Sequence, residues 1–118
     1  MSYDIAFKVK VEGVNEYVDT GYCEANITWN VREIITASTG LEWKNEENNG
    51  RVKEVIPFIK QGYEELVRNP DKYKKYEAPN GYGTVVGCKR FFREIIRAWH
   101  ELKEDNPELA GIATFWIE

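Results

Sequence analysis

The residues best equipped for chemistry sit together at Asn80-Gly81-Tyr82-Gly83-Thr84, just before a long amphipathic segment that begins near Val85. Two glycines and an asparagine free the backbone, Thr84 is a natural helix cap, and Lys89 and Arg90 follow one turn later. A helix start with unpaired N–H groups and nearby cations suits a phosphate or carboxylate, and Tyr82 could stack on a ring beside it. Gly81 to Gly87 is one residue off the dinucleotide-binding spacing and no strand is predicted before it. The Gly-Lys-Ser/Thr of a phosphate loop is also absent. An ordinary turn would need the same glycines.

Asn26, Thr28 and Asn30 alternate with Ile27 and Trp29. In an extended chain they project to one side, where amides and a hydroxyl can read the edge of a base, and Trp29 or Trp43 supplies a stacking plane. The competing expectation is that Thr28 and Asn30 cap a helix and Trp29 joins the core. Asn48, Asn49, Gly50 and Arg51 open a second long helix in the manner of the Asn80–Thr84 turn. Whether the two helix starts converge depends on helix sense, which a connector of this length leaves open. Arg90, Arg93 and Arg97 form a row at helical spacing, and Glu94 and Glu101 lie four residues after Arg90 and Arg97 as partners for surface ion pairs. With Lys72, Lys74 and Lys75 they could instead face a phosphate or an acidic partner. His100 falls on the same polar side.

Nothing points to catalysis. Cys23 and Cys88 are in no CxxC pair and beside no histidine, so two free thiols acting as small apolar groups are expected. One histidine and no ligand-spaced cysteines make a metal centre unexpected, and no cofactor is implied. The paired carboxylates Glu46-Glu47, Glu64-Glu65 and Glu104-Asp105 have no nucleophile alongside.

At 118 residues and 42% hydrophobic composition the chain, residues 1–118, is expected to fold as one domain around one core. A net charge of −4 speaks against coating nucleic acid, and no sequence-specific nucleic-acid reader is expected. The apolar runs are too short to span a bilayer, so no membrane partner is expected. Met1-Ser2-Tyr3-Asp4-Ile5 lacks the features of a secretory leader, so a cytoplasmic location is expected.

The elements that must position these residues are read from periodicity. Ile5, Phe7, Val9 and Val11 alternate as a half-buried strand. Gly13-Val14-Asn15 turns, and Glu16–Asp19 returns as the second arm of a hairpin. Tyr22–Trp29 extends that strand past a bulge or makes a third. Asn30, with Glu33, caps a short helix over Val31–Ser38 that Gly40 ends. Leu41–Gly50 reads as a loop. Val52, Val55, Ile56, Ile59, Tyr63, Leu66 and Val67 trace a helix that contains Pro57 and stops at Asn69-Pro70. Asp71–Glu77 reads as a connector. Val85, Cys88, Phe92, Ile95, Ile96, Trp99 and Leu102 stripe a helix over Val85–Glu104, ended by Asn106-Pro107. Gly111–Ile117 is an apolar last strand expected to pair with the hairpin, or to meet a second copy if it lies at an edge. The fold class expected is α+β: a small, mainly antiparallel sheet of the N-terminal hairpin and C-terminal strand, packed against two long helices and one short one.

The segments Glu24–Val31, Trp43–Gly50, Pro79–Thr84 and Ala113–Glu118 resemble a family of small uncharacterised bacteriophage and prophage proteins. The resemblance implies a viral protein acting in the host cytoplasm and carries no activity with it. Small acidic phage proteins often block host defences without catalysis, by sequestering a nucleotide signal or by capping a host protein. The expected partner is therefore a nucleotide-like small ligand or a host protein. A protein partner would be met by an acidic loop of Glu42, Glu46 and Glu47. A homo-oligomer and an accessory protein without a ligand are the remaining alternatives.

Overall fold

The computed structural model describes residues 1–118 and is α+β. Strand β1 (Ser2–Lys10) organises the sheet. Its start pairs antiparallel with β3 (Asn26–Thr28), and its end with β2 (Tyr17–Asp19), on the same side. On its other side lies β5 (Thr114–Ile117), with Ile5 opposite Ile117 and Lys8 opposite Thr114. β5 in turn pairs antiparallel with β4 (Glu47–Arg51), giving the path β2-β1-β5-β4 with β3 beside β1. The last strand is therefore central and buried, as its composition requires, and offers no edge to a second copy.

Alternation sets the faces. Tyr3, Ile5, Phe7, Phe115 and Ile117 belong to the buried cluster, while Lys8 and Trp116 turn to the other side, where the Lys8 ammonium lies 4.7 Å from the Trp116 ring. Phe7 and Phe115 are completely buried, each contributing about 2–3 kcal/mol of transfer free energy.

The helices close the core. Helix α1 (Arg32–Thr39) ends at Gly40, whose φ of +78° makes the left-handed cap. Helix α2 (Val52–Arg68) and helix α4 (Val85–Asp105) are the two long ones, and Gly62 of α2 lets them meet: a Cβ there would stand 3.1 Å from the Phe92 ring. Pro57 lies inside α2 on its exposed face, where the carbonyl it leaves without a donor can meet water.

Several boundaries differ from the sequence expectation. Leu41–Gly50 is not all loop: Glu47–Arg51 forms edge strand β4, with a bulge between Asn48 and Arg51. The connector Asp71–Glu77 is largely helical: Pro70–Tyr73 is helix α3, and a 3-10 turn follows over Lys74–Tyr76. Gly111-Ile112 is not strand but the end of helix α5 (Pro107–Ile112), started by Asn106, whose side chain accepts from Leu109 N. Val67 is exposed, outside the α2 stripe. Asn30 does not cap α1, which starts after Val31 without a side-chain cap; Thr28 caps the 3-10 turn Trp29–Val31 that leads into it. Arg90–Glu94 and Arg97–Glu101 do not close; the ion pairs are Lys8–Glu118 and Lys74–Asp71.

Candidate functional site

A groove of about 640 Å³ opens over one end of the sheet, lined by Tyr3, Trp29, Arg32, Glu33, Thr36, Ala37, Glu42, Trp43 and Tyr76. Thr28 sets the turn that carries Trp29. The Thr28 Oγ1 accepts from Asn30 N at 3.3 Å and from Asn30 Nδ2 at 3.0 Å, winding Trp29–Val31 into a 3-10 turn. Trp29 N donates to Met1 O, so the indole is held beside the sheet edge. Three residues on, Arg32 starts α1 and lays its guanidinium 3.8 Å from the Trp29 ring centroid. Glu33, Thr36 and Ala37 continue that wall along α1.

Tyr3 and Trp43 belong to both groove and core. Trp43 packs edge-on against Tyr3 at 5.4 Å and against Phe91 at 5.9 Å, tying the sheet to α4. Its indole Nε1 is buried without an acceptor in the chain, the only buried side-chain polar atom so placed. Burial pushes the Tyr3 hydroxyl above its ordinary value of 10.0, while the Arg32 charge pulls it partly back. Arg32 thus stacks on Trp29 and bears electrostatically on Tyr3. Arg32 has no carboxylate at ion-pair distance, so its charge is available to a ligand.

The glycine turn supports this groove from behind. Gly83 is buried with φ +86°, and a Cβ there would stand 2.8 Å from the Asn30 carbonyl carbon and Cβ, so the turn is pressed onto the backbone that carries Trp29. Thr84 caps α4 by accepting from Gly87 N at 3.0 Å. The Glu77 carboxylate accepts from Val85 N at 2.8 Å, and Asn80 Oδ1 accepts from Tyr82 N at 2.9 Å. The helix start expected to receive an external anion therefore holds one of the chain's own. Asn80, Gly81 and Tyr82 are exposed and line no part of the groove.

The other expected site residues disperse. Asn26 donates to the Ser2 hydroxyl and the Asp4 carboxylate across the β1–β3 pair. Asn48 and Arg51 lie in a separate groove with Lys10, Tyr17 and Glu54, where Arg51 Nη1 donates to Gly111 O at 3.1 Å. Arg90 faces a third groove with Tyr63 and Lys89. The long helices run antiparallel: α2 starts beside Ala113, which accepts from Val52 N, while α4 starts near Tyr63 in the second half of α2, so the two starts do not converge. Of the expected residues, Trp29 and Trp43 share this groove and Asn48 and Arg51 share another, while Thr28 and Gly83 brace the turn that carries Trp29. Arg32, Tyr3, Glu42 and Tyr76 were not expected in the Trp29–Trp43 groove. Only Arg32 left a signal, its three-residue spacing from Trp29.

Cys23 and Cys88 are buried free thiols, both raised by burial, Cys23 to about 12. His100 is exposed on α4. No group of three or more His, Cys, Asp or Glu side chains could hold a metal ion, and no helix is long and apolar enough to cross a membrane.

Comparison with protein families, curated proteins and solved structures finds no match to this chain.

Proposed function

We propose that this protein is a non-catalytic binding module that captures a nucleotide-like ligand in the Trp29–Trp43 groove. The base or another planar ring lies against the indoles and tyrosines, and a phosphate meets Arg32. One observation carries this reading: the Arg32 guanidinium is stacked on Trp29 and unpaired, inside a groove walled by four aromatic side chains. Such a cation is already oriented and desolvated on one side, so little ordering entropy is lost when an anion arrives. No hydrogen bond joins the Thr36 hydroxyl to Glu33 or Glu42 in the groove, which favours capture over turnover. Together with the resemblance to small bacteriophage proteins, this supports sequestration of a phosphate-bearing nucleotide signal of host immunity.

Calorimetry with a panel of cyclic dinucleotides and ADP-ribose derivatives tests the reading. At least one member binds, and Arg32→Gln weakens it about tenfold or more, the worth of one charge-assisted hydrogen bond. Silence across the panel with folded protein overturns it.

A second reading rests on Glu33 and Glu42, which also line the groove. A basic side chain of a host protein would fit between these carboxylates and the indoles, making the module a protein–protein inhibitor. In that case Glu33→Gln and Glu42→Gln weaken binding, whereas Arg32→Gln preserves or strengthens it.

A further inference from the structure

The exposed ridge of α4 separates two unlike grooves. On one side Tyr22, Glu24, Glu94, Arg97 and Glu101 line a groove dominated by carboxylates. On the other, between α4 and α2, Tyr63, Val86, Lys89, Arg90 and Arg93 line a groove of about 220 Å³ with no carboxylate in its wall. None of its three cations has an acidic partner at ion-pair distance, although Glu94 is the next residue along the helix from Arg93. Three like charges on adjacent turns repel one another, and they persist here in a chain of net charge −4. Lys89, unlike Arg90 and Arg93, is partly buried in the groove wall.

We propose that this groove is a phosphate site. Arg90 and Arg93 reach the phosphate oxygens from successive turns of α4, and Lys89 adds a compact third charge, a set suited to the two negative charges of a phosphate monoester. Tyr63 and the exposed Val86 form an apolar wall beside it. That wall selects a monoester with an apolar or aromatic body over inorganic phosphate. The site is separate from the Trp29–Trp43 groove and does not depend on what binds there.

The test is a titration of the isotope-labelled full chain with inorganic phosphate and with phenyl phosphate, followed by backbone amide resonances. Saturable shifts are expected at Lys89–Arg93 with both probes, with phenyl phosphate binding about tenfold tighter and also moving the Tyr63 ring signals. Arg90→Gln with Arg93→Gln, both exposed, weakens the response at least tenfold. Lys53→Gln, an exposed lysine in the first turn of α2, leaves it intact. Non-saturating shifts, or equal losses in both variants, reduce the effect to general charge and overturn the site. Equal affinity for the two probes overturns the role of Tyr63. The Trp29 indole resonance reports the other groove in the same spectra, so failure of one site is distinguishable from failure of the other.

Discussion

Gly83 and Asn30 meet backbone to backbone: a Cβ on Gly83 would lie 2.8 Å from the Asn30 carbonyl carbon and 2.9 Å from its oxygen. Through this contact the turn before α4 braces the 3-10 turn that presents Trp29. Gly81, two residues earlier, shares the left-handed conformation at φ +80° but faces open space. Gly81→Ala is expected to cost about 1–2 kcal/mol, the strain of a left-handed alanine. Gly83→Ala adds a clash with backbone that cannot move aside, for a total of about 2–4 kcal/mol. Urea denaturation of both variants measures the difference, and equal losses would mean that the turn is not pressed onto Asn30.

Glu77 supplies the anion at the start of α4. Replacing it by alanine removes the acceptor for Val85 N and is expected to cost about 1 kcal/mol. Glu77→Gln keeps an acceptor and loses only the charge at the positive helix end, about 0.3–1 kcal/mol. Thermal denaturation of the pair separates hydrogen bond from charge.

Tyr73 and Glu65 make stability depend on pH at both extremes. The buried Tyr73 hydroxyl donates to Glu65 Oε2 at 2.9 Å. Burial first, then this bond to a carboxylate, raises the phenol from 10.0 to about 12. Its contribution is therefore complete below pH 10 and is lost as pH rises through about 12. The same bond, with a smaller one from Asn69, lowers the Glu65 carboxyl below 4.5, a contribution present above that value and lost as pH falls through the folded one. In Tyr73→Phe both the alkaline and the acid losses shrink. Denaturation midpoints across pH check this, and an unchanged profile would contradict the pairing.

The thiols are expected to be inert while the chain is folded. Cys88 is fully buried and Cys23 nearly so, with thiols too weakly acidic to ionise near neutrality. A disulfide reagent at pH 8 should label the native protein at least about a hundredfold more slowly than the unfolded chain, through rare openings. Rapid labelling of one thiol in the folded state would contradict its burial.

These relationships were unequally legible in the sequence. The alternation of Ile5, Phe7 and Val9, the Thr84 cap, the Gly40 stop and the Asn106-Pro107 break are local signals, and each appears where its residues place it. β4 was hidden because Glu47-Asn48-Asn49-Gly50-Arg51 has no strand propensity; it is extended because central β5 needs a partner on that side. The helical turn at Pro70–Tyr73 was hidden for the opposite reason, since Asn69-Pro70 ends one helix and starts the next. The site fared likewise. Trp29 and Trp43 were visible as stacking planes, but Tyr3, Glu42 and Tyr76 join them only through tertiary folding. Glu77 folds back over eight residues to take the place expected for a ligand's anion.

Capture of a ring-bearing anion between Trp29 and Arg32 leaves a signature at the indoles. The measurement follows the four indole N–H resonances while the cyclic dinucleotide and ADP-ribose panel is added. One compound is expected to shift the Trp29 indole, with a smaller effect at Trp43. Trp99, buried under Lys103 on α4, and Trp116, on the opposite sheet face, stay in place. The response is lost in Arg32→Gln. No shift at Trp29 with any compound, or equal shifts at all four indoles, would contradict that capture.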